Sequence, residues 1–148
     1  MDGSERASTL LLFPAAVLVV FVLGAIAADM ASVFLGEREL ANATAAAAND
    51  TATEALANAA FYRGGQVQVA DTGAQELAAE HVRQALAGSN RYRNLQVEVS
   101  VASDRVTVRA SGEVRRLFAP ALPGGSGWAA IGATSTARAT ERAPAPDS

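Results

Sequence analysis

Residues 7–28 form a run of 22 without one ionisable side chain, and Asp29 closes it. As a helix rising about 1.5 Å per residue, the run reaches roughly 33 Å, enough to cross the ~30 Å hydrocarbon layer of a bilayer. Twelve of its residues are Leu, Val, Ile or Phe. At roughly 0.3 to 0.6 kcal/mol apiece they favour insertion by about 5 kcal/mol. Pro14 falls near one end of the span, where a lost helical hydrogen bond finds other partners. The stretch predicts a membrane-spanning helix at 7–28.

Two readings of this stretch stand open. In one, its apolar core belongs to a secretory signal, Ala25-Ile26-Ala27 is a small-residue cleavage site, and a small binding domain beginning at Ala28 is released. In the other the span stays attached. Asp2, Glu5, Arg6 and the amino terminus sum to about zero charge, whereas a signal normally opens positive, which favours the uncleaved anchor. Arg6 and Arg38 nearly balance in the positive-inside count. The expected arrangement is single-pass in the cell membrane, with residues 1–6 cytoplasmic and the bulk of the chain extracytoplasmic.

About 120 residues remain beyond the span, which is one small domain. All twelve basic residues are Arg, the chain is rich in Ala, and the net charge is −3. The Arg and Ala bias points to a GC-rich, bacterial coding sequence. The charge argues against a nucleic-acid groove, which needs a concentrated basic face. With no Cys, neither disulfides nor thiolate metal ligands are available.

Residues 29–63 continue as an Ala-rich helix, so the span and its extension form one rod of up to about 50 residues. Val33, Leu40, Ala47 and Phe61 recur at sevenfold spacing with Glu54 interrupting, a thin seam that either lies against a partner helix or the chain's own head or belongs to a solvated linker helix. Gly64-Gly65 ends the rod, and 64–139 read as a small α+β domain. Residues 66–70 form a short strand. Asp71-Thr72 opens a helix in which Thr72 and Gln75 have capping-box spacing and Ala74, Leu77, Ala78, Val82, Ala85 and Leu86 share a face, with Gly88 closing it.

Leu95, Val97, Val99 and Val101 alternate with Gln96, Glu98 and Ser100, a half-buried strand. A turn at Ser103-Asp104 leads to a second strand, 105–114, with Val106, Val108 and Ala110 inward. After a Pro/Gly/Ser loop at 120–127, a strand at 129–139 follows, and 140–148 form a polar, disordered tail. The expected fold class is α+β: a transmembrane helix extended as a rod, then an antiparallel sheet of about four strands with one packed helix.

The inventory of reactive groups is poor. His81 sits at the margin of its helix's apolar face without a second ligand or triad partner at a telling spacing. Glu76 and Glu80 read as solvated surface. Arg91-Tyr92-Arg93 and Arg115-Arg116 read as rim charges in preference to phosphate contacts. Gly124-Gly125-Ser126-Gly127 lacks the Lys and the helix of a phosphate loop. The sequons Asn42-Ala43-Thr44 and Asn49-Asp50-Thr51 read as chance. No catalytic residue, cofactor or metal site is expected, and the chain does not read as an enzyme.

The span itself carries the better candidate site. Gly24, Ala28, Ser32 and Gly36 recur every fourth residue, a strip that lets two helix backbones approach closely. It is a candidate surface for another membrane helix, a second copy of this one included. Asp29 lies beside it at the membrane exit, facing water or pairing with a partner's cation.

Glu5-Arg6-Ala7-Ser8-Thr9 running into the apolar span, then Asp29 and Phe34, then Arg38-Glu39-Leu40-Ala41-Asn42-Ala43 leading into the alanines at 45–48, resemble the TadE/TadG-like proteins of the Tad (Flp-type) pilus assembly system. The likeness covers roughly the first 60 residues. It implies an amino-terminal helical anchor, an extracytoplasmic remainder, and a role as a minor pilin-like or accessory part of a pilus or related secretion apparatus. Peptidase-processed members carry a Gly followed five residues later by Glu. Here Gly3 is followed at that spacing by Ser8, and the usual Arg-Gly before the span is Arg6-Ala7.

Overall fold

A computed structural model of the chain describes residues 3–61, 71–102, 105–122 and 124–138. Its elements are α1 (Gly3–Phe61), α2 (Asp71–Leu86), β1 (Tyr92–Ala102), β2 (Arg105–Arg115), a single 3-10 turn, η1 (Ala119–Ala121), and β3 (Trp128–Arg138). The described strands form one antiparallel sheet in the order β1-β2-β3. The strand expected at 66–70, the turn at Ser103-Asp104 and the tail at 140–148 lie outside the described residues. The sheet described therefore has three strands where about four are expected.

Helix α1 is 59 residues long with Pro14 inside it, about 88 Å at the usual rise. It is uninterrupted from the apolar run into the Ala-rich half. From Asp29 onward one face is buried: Asp29, Ser32, Gly36, Leu40, Ala43, Thr44, Ala47, Ala48, Thr51 and Ala52. Those intervals of three and four trace one helical stripe. It lies against β2, β3 and α2, while α2 in turn covers β1. The thin seam predicted from Val33, Leu40 and Ala47 is thus occupied by the chain's own head. Small side chains let a helix approach the sheet closely, and Gly36 does so most tightly, since a Cβ there would meet Val114 Cγ2 at 2.8 Å.

The sheet turns one face to both helices. Val106 pairs with Ala137, Val108 with Ser135, Ala110 with Ala133 and Val114 with Ala129. Val106, Val108, Ala110 and Val114 are fully or almost fully enclosed, each Val favouring the fold by about 1.5 to 3 kcal/mol. Leu95, Val97, Val99 and Val101 of β1 are half-buried against the same core, as their alternation predicts. The outer face carries Gln96, Glu98, Arg109, Thr107, Thr134 and Thr136, all but half-buried Thr107 exposed.

β1 begins earlier than its alternation suggests, because a bulge lies between Arg93 and Gln96. Asn94 takes a φ of 54° there, a left-handed conformation that Asn tolerates better than most residues. The extra residue returns Tyr92 and Leu95 to the same inward face. On α2 the enclosed positions are Ala74, Ala78, Ala79, Val82 and Leu86. Ala79, outside the expected apolar face, is buried, whereas Ala85 is exposed and Leu77 half-buried. The shift follows from α2 packing against α1 as well as the sheet. Gly88 adopts a φ of +97° just past the helix, the left-handed stop that Gly provides.

Candidate functional site

The first part of the site is the surface of α1 before the head begins. Leu12, Phe13, Val17, Leu18, Val19, Val20, Phe21, Leu23 and Ile26 are exposed, Phe13 to 74%. They occur on every side of the helix, and no described part of the head covers them. A helix that is apolar all round belongs inside a nonpolar medium. This one is long and apolar enough to cross a membrane.

Asp29 marks where the head starts. Its Oδ1 accepts the backbone N–H groups of Leu117 at 2.7 Å and Phe118 at 2.9 Å. Its Oδ2 accepts that of Ala119 at 2.6 Å. The residue is only 9% exposed. It therefore neither faces water nor awaits a partner's cation, the two roles read from its position. It does from another element what an N-cap aspartate does within its own helix, satisfying donors at the start of η1, while Phe118 at the cap position makes no side-chain cap bond. Burial pushes the carboxyl's pKa up, but the three N–H donors and nearby Arg116 outweigh it, holding the group below the usual carboxylate range.

The loop so tethered is shaped by its glycines. Gly124 has a φ of +76°, and a Cβ on Gly125 would stand 1.8 Å from the Ala119 carbonyl oxygen. Gly125 N donates to Leu122 O and Arg116 N to Gly127 O. These glycines serve a tight backbone crossing, which fits their lack of phosphate-loop context. On the loop's outside Leu117, Phe118 and Leu122 are exposed, at 63%, 40% and 43%. They are large apolar side chains beside the span, and sequence reading did not single them out.

The strip of small residues is divided by the head. Ser32 is buried and its hydroxyl donates to the Arg115 carbonyl at 3.4 Å. Gly36 is pressed against Val114, Ala28 is half-buried, and Gly24 has open space where a side chain would stand. The half of the strip beyond Asp29 is the seat of β2, so of the four positions Gly24 presents the open face to a second helix.

Other polar contacts lock the head to α1. Tyr92 donates its hydroxyl to the Glu39 carboxylate, and burial together with that acceptor raises the phenol's pKa. His81 Nδ1 of α2 lies 3.5 Å from the Asp50 carboxylate of α1 without a hydrogen bond. Arg93 Nε binds Glu113 at 2.6 Å and its guanidinium lies 4.2 Å from the Trp128 ring centre, so Arg93 braces the sheet. Glu113 is held below the usual carboxylate range by Arg93 and Asn94. The side chain of Thr72, the other half of the expected capping box, lies outside the described residues, and Gln75 reaches the sheet. The Gln75 amide donates to Val97 O and accepts from Val99 N, covering part of the outer edge of β1 in the described sheet. Both sequon threonines, Thr44 and Thr51, are buried within α1. Among the described residues no three His, Cys, Asp or Glu side chains gather as metal ligands would.

Comparison with family models, with curated proteins and with solved structures finds no match.

Proposed function

We propose that this chain is a membrane-anchored, non-enzymatic component of a Tad-type pilus or related secretion assembly, held in the cell membrane by α1 with its α+β head outside. The observation that carries the reading is the division of α1 at Asp29. From Leu12 to Ile26 the helix is apolar with large side chains exposed on every side, and beyond Asp29 one face is enclosed by the head. Such a helix is insoluble as an exposed arm and stable in lipid. The resemblance of roughly the first 60 residues to TadE/TadG-like proteins supports the assembly role. The open face at Gly24 is the position through which α1 packs on other subunits or on a second copy.

Gly24→Leu is the test of that packing. It should reduce copurification of partner membrane proteins severalfold while leaving insertion and the head intact, since nothing in the chain lies within 4 Å of the added Cβ. Unchanged copurification removes Gly24 from the proposal.

One observation favours a second reading, a small binding domain secreted after cleavage at Ala27. Among the described residues of α1, every buried position lies at or beyond Asp29, so a product beginning at Ala28 keeps these core positions. The intact mass of the mature chain separates the two.

A further inference from the structure

We propose that the β2–β3 loop is a second membrane-contacting element, its Leu117, Phe118 and Leu122 seated in the interface of the same phospholipid bilayer that α1 crosses. The proposal rests on the anchored reading of α1. Three observations lead to it.

The first is the level of the loop. Asp29 is the only ionisable residue between Arg6 and Glu37, and its carboxylate is enclosed by the N–H groups of Leu117, Phe118 and Ala119. A carboxylate so satisfied no longer has to reach water. The stretch free of any exposed charge therefore extends from residue 7 to residue 36, about 45 Å of helix, which matches hydrocarbon plus headgroup layers better than hydrocarbon alone.

The second is the outward face of α1 just past Asp29. Met30, Phe34 and Leu35 are exposed there, at 70%, 64% and 51%, so apolar surface continues along the helix beside the tethered loop. The third is the loop's own surface. Leu117, Phe118 and Leu122 are exposed within six positions of one another, and the bonds to Asp29 fix them at the end of the span. Trp128, an indole suited to the headgroup region, begins β3 at the same end, paired with Arg115. Arg115 is itself exposed and carries the charge that lipid phosphates attract.

Apolar side chains continuous with a membrane span favour lipid as the occupant. Two attachments, one through α1 and one through the loop, fix the head's tilt on the bilayer where a single helix leaves it free to rotate.

The test uses the full chain in phosphatidylcholine/phosphatidylglycerol vesicles. Because the chain has no Cys, a nitroxide attached to Phe13→Cys, Leu117→Cys, Leu122→Cys or Ser100→Cys reports one position at a time. Collision with oxygen, relative to a water-soluble nickel chelate, should be severalfold higher at 117 and 122 than at exposed Ser100 and should approach the value at 13. Lipid-like values at 13 with water-like values at 117 and 122 overturn the loop contact and leave the anchor standing. Labels at 117 and 122 shielded from both colliders mean that protein covers the patch, which also overturns it. Water-like values at 13 overturn the anchor and the loop contact together. The unsubstituted chain gives an independent reading through Trp128, its single tryptophan. Quenching by lipids brominated near the headgroup supports the contact, and emission unaffected by them contradicts it.

Discussion

The Asp29 carboxylate accepts the backbone N–H of Ala119 at 2.6 Å across 90 positions of sequence. Two further N–H groups share that carboxylate. Asp29→Ala leaves three donors at a largely enclosed site without their acceptor, and should destabilise the head by roughly 2 to 3 kcal/mol. Asp29→Asn, which keeps one carbonyl acceptor, should lose less. Denaturant unfolding of the full chain in detergent, followed by Trp128 emission, measures both. Amide exchange should quicken first at Leu117, Phe118 and Ala119.

The same tether sets a pH dependence. Asp29 titrates lower in the folded chain than when unfolded. Its contribution is therefore complete above the unfolded carboxyl's pKa of about 3.9 and is lost as pH falls through the lower folded value. Thermal unfolding of the native chain should fall more steeply below about pH 4 than that of Asp29→Asn. Parallel curves would assign the acid sensitivity to other groups, Glu113 first among them, since Arg93 and Asn94 lower it too.

Gly36 and Gly24 lie on one strip yet should respond oppositely. A Cβ at Gly36 meets Val114 Cγ2 at 2.8 Å and Val114 Cβ at 3.2 Å, so Gly36→Val overpacks the seat of β2 and should cost about 1 to 3 kcal/mol. Gly24→Leu should leave unfolding unchanged within about 0.5 kcal/mol. Equal effects at the two positions would contradict the division of the strip.

Gln75 offers a different readout. Gln75→Leu keeps most of the side chain's bulk but uncovers the bonds to Val97 and Val99. Loss of about 1 kcal/mol per bond is expected, with faster aggregation as the β1 edge opens. A variant as soluble as the native chain would show that the edge is protected otherwise.

The sequence makes plain the features that repeat along one element. Residues 95–101 alternate strictly and form an edge strand of the described sheet, and the apolar run, from Leu12 to Ile26, forms a helix with its large side chains exposed. What it hides depends on groups without a side-chain signature. The partners of Asp29 are backbone N–H groups almost ninety positions away, so nothing at Leu117, Phe118 or Ala119 advertises an acceptor. Gly36 looks like any other small residue in an Ala-rich helix until Val114 is seen against it. Gln75 has the spacing of a cap, and only the sheet's placement shows its amide at the β1 edge. The bulge at Asn94 adds one residue to β1, which no period-two pattern reveals.

The attached anchor is tested most directly by alkaline carbonate extraction of cell membranes, followed by the intact mass of the chain in pellet and supernatant. The chain should stay in the pellet with residues 7–28 still joined to the head. A soluble product beginning at Ala28 would contradict that result, and with it the place of this protein in a membrane-held assembly.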